Sequence, residues 1–184
     1  IIENEFGDVG VDEKIIGGND LKEKIDEEII EVMNGCICCT VRGDLVETLK
    51  RLATKINKFD GVIVETTGLA DPAPVAQTFF IDETISRLYS LDGIVTVVDA
   101  KHVIMHLDDE KPEGVENEAQ EQLAFADRVL LNKIDLVPEE EELKKIEARI
   151  KEINGTAPIH RCTNSEIDWR ELINVGAFDI KRVL

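Results

Sequence analysis

The stretch Asn34 Gly35 Cys36 Ile37 Cys38 Cys39 Thr40 holds three of the chain's four cysteines within four positions. Thiolates are strong ligands for soft or borderline ions such as Zn²⁺ or Cu⁺, and three so close together converge on one ion if the backbone turns. On an extended segment Cys36 and Cys38 point one way and Cys39 the other, so joint use requires a bend, which Gly35 permits. Two other readings of these residues stay open: small buried apolar side chains, or a redox pair of neighbouring thiols. A cluster that follows a glycine-containing turn suits a metal site better than a core, and a fourth ligand must then come from elsewhere. Glu3, at the end of a short apolar run, is one candidate. His102, four residues before His106 and nearer a strand end, is another, although lone surface histidines are the plainer account of that pair.

A second constellation is Asn132 Lys133 Ile134 Asp135. A carboxylate at Asp135 can accept both N–H groups of the guanine Watson–Crick edge, Asn132 can bond the opposite side of the base, and the Lys133 stem can cover its face. Adenine offers no such donor pair. The alternative is a set of residues that only caps the following turn. Glu65 Thr66 Thr67 Gly68 is the third. A carboxylate ending a buried strand can hold the shell of a Mg²⁺ ion, and a glycine just after it lets a backbone N–H approach a terminal phosphate; otherwise this is an ordinary strand end. Cys162 and Thr163 follow the last strand and are weaker candidates for backbone contacts to the base.

These residues need a scaffold, and the chain supplies one. Gly61 to Val64, Ile94 to Asp99 and Arg128 to Leu131 are continuous apolar runs of the kind buried on both faces of a sheet. Ile29 to Met33 reads as a short strand leading to the cysteines, and Pro158 to His160 as an edge strand. Between them, Leu45, Val46, Leu49, Leu52, Ala53 and Ile56 recur at helical spacing, a short helix runs through Thr78, and Glu116 to Phe125 and Leu143 to Ile153 read as helices, the last preceded by the acidic turn Glu139 to Glu142. Val9 to Asp26 has no sustained period and reads as a loop. Alternation of this kind predicts an α/β fold with a doubly wound, mostly parallel sheet covered on both faces, and ligands at the carboxyl ends of its strands.

The bulk numbers agree. With 184 residues and 43% hydrophobic content the chain supports one domain with a core, and its formal charge of −18 argues against nucleic acid and for a cation as cargo. No apolar run is long enough to span a bilayer, and the N-terminal residues lack the basic and apolar regions of a signal peptide, so the expected place is the cytoplasm or an organelle interior. A tight cysteine triplet plus the distant Cys162 suits a reducing compartment better than a disulfide framework.

Taken with Ile2 to Gly7, Gly35 to Cys39, Glu65 to Pro72 and Asn132 to Asp135, which stand in the family's order and approximate spacing over nearly the whole chain, the sequence resembles the GTPase domain of the CobW-type metallochaperone GTPases. Leu91 to Ile94 and Lys111 to Gly114 make the eukaryotic zinc chaperone branch look closest. The resemblance implies a P-loop-type GTPase that hydrolyses GTP with Mg²⁺ and delivers a metal, most often zinc, to a client metalloprotein. It puts metal binding on Cys36, Cys38 and Cys39, sensing of the γ-phosphate on Glu65 to Gly68, and guanine specificity on Asn132 to Asp135. Two departures go with it. The family's phosphate loop and its C-terminal domain have no counterpart here, so residues 1–178 are expected to be a GTPase domain incomplete at its N-terminus, and 179–184 the start of a linker. The rival readings are a regulatory or maturation GTPase with structural cysteines, and a non-hydrolysing metal buffer or interaction module. Oligomeric state is not legible.

Overall fold

A computed structural model describes residues 2–3, 30–31, 40–55, 59–68, 71–112, 114 and 117–178. Cys36, Cys38 and Cys39, the expected loop of Val9 to Asp26, and the expected linker at 179–184 lie outside the described residues. The chain divides into two compact units, Ile1–Tyr89 and Ser90–Leu184.

In the first unit β1 (Ile2–Glu3) pairs in parallel with β2 (Ile30–Glu31) on one side and β3 (Val64–Glu65) on the other. The register sets Glu3 opposite both Glu31 and Glu65. Helix α1 (Thr40–Ala53) presents Leu45, Leu49 and Leu52 at helical spacing, and these form a core with Ile2 and Ile85. The Tyr89 hydroxyl donates to the Leu49 carbonyl at 2.8 Å, satisfying its polar end against that core. The helix expected to end near Thr78 runs on as α2 (Ala73–Ile81) and is followed at once by α3 (Glu83–Leu88). The break falls at Asp82, whose carboxylate accepts the N–H groups of Thr84 and Ile85 and so starts a new helix.

The second unit contains the parallel sheet β4 (Val95–Asp99), β5 (Arg128–Asn132) and β6 (Ile159–Arg161), in that order. Against one face lie α4 (Val103–Leu107), α5 (Glu118–Ala124) and α6 (Glu140–Ile153), sharing a core with Val98, Val129 and Leu131. Glu140, Glu141 and Glu142 occupy the first turn of α6, where carboxylates complement the helix dipole, and Leu143, Ile146 and Ile150 are its buried stripe.

The expected α/β class with parallel sheets is therefore observed, and β6 is an edge strand as expected. Burial on both faces holds for β5, where Val129, Leu130 and Leu131 are all buried, but not for the other two apolar runs. Ile63 is 63% exposed and Val97 58% exposed. Ile63 stands just before β3 and Val97 within β4, each strand at one border of its described sheet, and in β4 the helices cover the face bearing Val98, so Val97, pointing the other way, stays open.

Candidate nucleotide site

The carboxyl ends of β4, β5 and β6 form one corner of the second unit. Hydrogen bonding across the strand ends builds it: the Ala100 N–H donates to the Asn132 carbonyl at 2.9 Å, the Cys162 N–H to the Leu131 carbonyl at 2.9 Å, and the Ile134 N–H to the Cys162 carbonyl at 3.4 Å. The segment after β5 then turns sharply. Lys133 adopts the left-handed conformation at φ 60° and ψ 35°, followed by a short 3₁₀ turn over Ile134–Leu136. For a residue with a Cβ that conformation costs about 1–2 kcal/mol, a strain of the sort found at functional sites.

Asn132 is held on both sides of its amide. Its Nδ2 donates to Ser165 Oγ at 3.0 Å, while its Oδ1 accepts the Ser165 N–H at 3.0 Å and lies 3.7 Å from the Cys162 thiol. Asn164 and Ser165 are both left-handed, at φ 53° and 56°, and the turn closes with the Glu166 N–H on the Thr163 carbonyl at 3.0 Å. Asp135, exposed in the 3₁₀ turn, has no hydrogen-bond or ion-pair partner among the described residues. Its two carboxylate oxygens are thus available as an acceptor pair. Cys162 is 4% exposed, and burial pushes its thiol up, which keeps it protonated; its backbone N–H and carbonyl are both committed to the strand ends.

Lys133 reaches back to β4, its Nζ 2.9 Å from Asp99 Oδ2. The same oxygen lies 3.1 Å from His102 Nδ1, and Asp99 Oδ1 accepts the N–H groups of Lys101 and His102. Partial burial works to raise the Asp99 carboxyl, but the bonds from Lys133, His102 and the Lys101 N–H outweigh it and hold the group well below the usual carboxylate range. His102 precedes α4 as its N-cap residue and His106 is one turn on; both are exposed.

Glu65 and Gly68 belong to the first unit, where Glu65 is exposed at the end of β3. A Cβ added at Gly68 would meet nothing within 4 Å, so its protein neighbours do not demand glycine and the missing side chain leaves room beside it. Glu3 is placed by backbone register next to Glu65. Among the described residues no three of His, Cys, Asp and Glu cluster closely enough to hold a metal ion. The structure thus gathers Asn132, Lys133, Asp135, Cys162 and Thr163 into one corner and leaves Glu3, Glu65 and Gly68 in the other unit. It also adds two residues that sequence reasoning did not assign. Asp99 had a signal, being a carboxylate that ends an apolar strand; Ser165 had none.

A parallel sheet whose strand end carries a strained Asn-Lys-Ile-Asp turn, with an open carboxylate beside a fixed amide, defines an α/β nucleotide-binding domain. Residues 1–161 match the model of the CobW/HypB/UreG nucleotide-binding domain, and the chain belongs to that family. It is 38% identical over 182 residues to the zinc chaperone YjiA of Escherichia coli (strain K12), covering 97% of this chain and 52% of that protein. It is also 38% identical over 207 residues to the zinc-regulated GTPase metalloprotein activator 1 of Dictyostelium discoideum, covering 99% of this chain and 43% of that one. The crystal structure of Zn(II)-bound YjiA GTPase from E. coli is similar in fold, with a TM-score of 0.64 and 33% identity over 82% of this chain and 43% of the other. The chain spans about half the length of the curated relatives it matches.

Proposed function

We propose that this chain is the nucleotide-binding part of a GTP-dependent zinc chaperone. The observation that carries the reading is the corner at the end of β5: an exposed Asp135 carboxylate with no described partner, a few residues from an Asn132 amide already fixed by Ser165. A guanine base presents the N–H pair that such a carboxylate lacks. The relatives' names, a zinc chaperone and a zinc-regulated GTPase metalloprotein activator, support the same reading.

Magnesium fits the exposed Glu65 at the end of β3, and the open space beside Gly68 fits the approach of a phosphate. Bound there, Mg²⁺ would supply positive charge against the phosphate oxygens during GTP hydrolysis. Zinc is the cargo, and the thiols of Cys36, Cys38 and Cys39 suit it, with either Glu3 or His102 as an accessory ligand. His102 Nδ1 already faces the Asp99 carboxylate, which leaves Nε2 for a metal, the arrangement in which carboxylates commonly orient ligand imidazoles. GTP orders the segments around the nucleotide, hydrolysis releases them, and the zinc passes to a client metalloprotein. Clustered thiols and an unpaired Cys162 suit a reducing compartment, the cytoplasm or an organelle interior. No helix among the described residues is long and apolar enough to cross a membrane.

The test is Asp135→Asn in the full-length protein. The change replaces an acceptor by a donor at the base edge, so GTP affinity falls about tenfold or more and xanthosine triphosphate affinity rises. An unchanged preference between the two nucleotides removes Asp135 from the base site. Zinc is tested separately, by titrating thiols with and without the metal: Cys36, Cys38 and Cys39 lose reactivity together at one equivalent of Zn²⁺, and three thiols that stay equally reactive at saturation refute the assignment.

A further inference from the structure

We infer that Asp99 is a positioning residue for the base site, acting through Lys133. The inference rests on the reading of Asn132 to Asp135 as that site. Asp99 ends β4 directly opposite Asn132 in the parallel register, so the two strands deliver a carboxylate and the recognition turn side by side. The carboxylate is itself held rigidly. Oδ1 accepts the N–H groups of Lys101 at 2.9 Å and His102 at 3.2 Å, which fixes the side chain against the turn that starts α4. Oδ2 then takes the Lys133 ammonium at 2.9 Å.

Lys133 is a long, flexible side chain on a left-handed residue that lies outside any helix or strand. An ammonium anchored to a fixed carboxylate draws the four methylenes along the line from Lys133 to β4. Asp99 ends β4 and Lys133 follows the adjacent strand β5, two residues before Asp135, so a stem drawn along that line is set in advance to cover the face of a base held by Asp135. Preorganisation of this kind saves the ordering of a flexible stem when nucleotide binds, and it acts on the base and ribose side of the ligand, not on the phosphates. Asp99 therefore contributes equally to GTP and GDP affinity.

The experiment is a double-mutant cycle on the full-length protein with Asp99→Asn and Lys133→Met, measured with GTP and GDP. Asparagine keeps an oxygen for the Lys101 and His102 N–H groups and replaces the Oδ2 that faces both the Lys133 ammonium and His102 Nδ1, so the turn is retained, which a parental melting temperature checks. Asp99→Asn weakens GTP and GDP binding by the same factor, about fivefold to tenfold, and in steady-state hydrolysis the loss falls on KM more than on kcat. In the Lys133→Met background the Asp99 change has no further effect, because the ammonium it anchors is gone. Additive losses, or full affinity in Asp99→Asn, overturn the inference while leaving the base site intact. If Asp135→Asn fails to move the preference toward xanthosine triphosphate, the base site itself is misplaced and the role of Asp99 falls with it.

Discussion

Asn132 and Ser165 exchange two hydrogen bonds, each of 3.0 Å, across 33 residues of sequence. One is amide to hydroxyl and the other backbone N–H to amide oxygen, so the side chain of one segment completes the backbone of the other. The turn after β6 is thereby tied to the last residue of β5 in addition to its own Glu166 to Thr163 bond, and two consecutive left-handed residues are kept in place.

The two partners are unequal, and substitution separates them. Ser165→Ala removes one neutral hydrogen bond in an exposed setting, worth about 0.5–1.5 kcal/mol, and keeps the backbone bond. Asn132→Ala removes both. Amide exchange at Ser165 in the nucleotide-free protein rises strongly in Asn132→Ala and little in Ser165→Ala. Equal protection in the two variants would show that the turn holds itself.

Asn154 offers a larger stability effect. It is buried at the end of α6, its Nδ2 donating to the Leu123 carbonyl at 2.9 Å and the Ala126 carbonyl at 2.8 Å, while Oδ1 accepts the N–H groups of Thr156 and Ala157. One side chain thus links the α5 end to the approach to β6. Asn154→Ala leaves these groups without their partner in a buried place and costs about 2–4 kcal/mol, read as a lower denaturant midpoint. Asn154→Asp costs more, because a carboxylate oxygen replaces the donor facing two carbonyls. A midpoint within experimental error of the parent for Asn154→Ala would mean that water replaces the amide.

What could be read from the sequence, and what could not, follows from the range of the interactions. Helix α6 was legible because its apolar stripe and acidic first turn are local patterns. The Asn132 to Asp135 turn was legible because its residue types and its place after β5 are local too. The break at Asp82 carried a signal, an Asx cap, but it is hidden by the apolar Phe79 Phe80 Ile81 just before it. Apolar runs such as Ile94 to Val98 state that a strand is hydrophobic, not how many of its faces are covered, and so Val97 was misjudged. The Asp99 pairing with Lys133 joins residues 34 apart through strand register, which no spacing rule reveals.

The last prediction concerns pH. Asp127 lies just before β5, and its Oδ2 accepts the Ile94 N–H at 2.8 Å. Burial pushes its carboxyl above the ordinary value of 3.8, and the nearby Asp92 adds to this; the bond from Ile94 and the charge of Arg128 oppose the shift without cancelling it. A carboxyl raised on folding is a group whose protonated form the native state prefers. Its favourable contribution is fully present below the ordinary value and is lost as pH rises through the raised one, so at neutral pH the charged Asp127 is a net cost. Asp127→Asn keeps an oxygen to accept the Ile94 N–H and removes the charge. The variant is therefore at least as stable as the parent at neutral pH, and its advantage grows as pH rises from about 4 and then levels off once Asp127 is fully ionised. Denaturant midpoints of parent and variant, measured in parallel across that range, give the difference directly and cancel the titration of every other carboxylate. An advantage that shrinks with rising pH would mean that the Ile94 bond and Arg128 outweigh burial, and that Asp127 is an ordinary stabilising carboxylate.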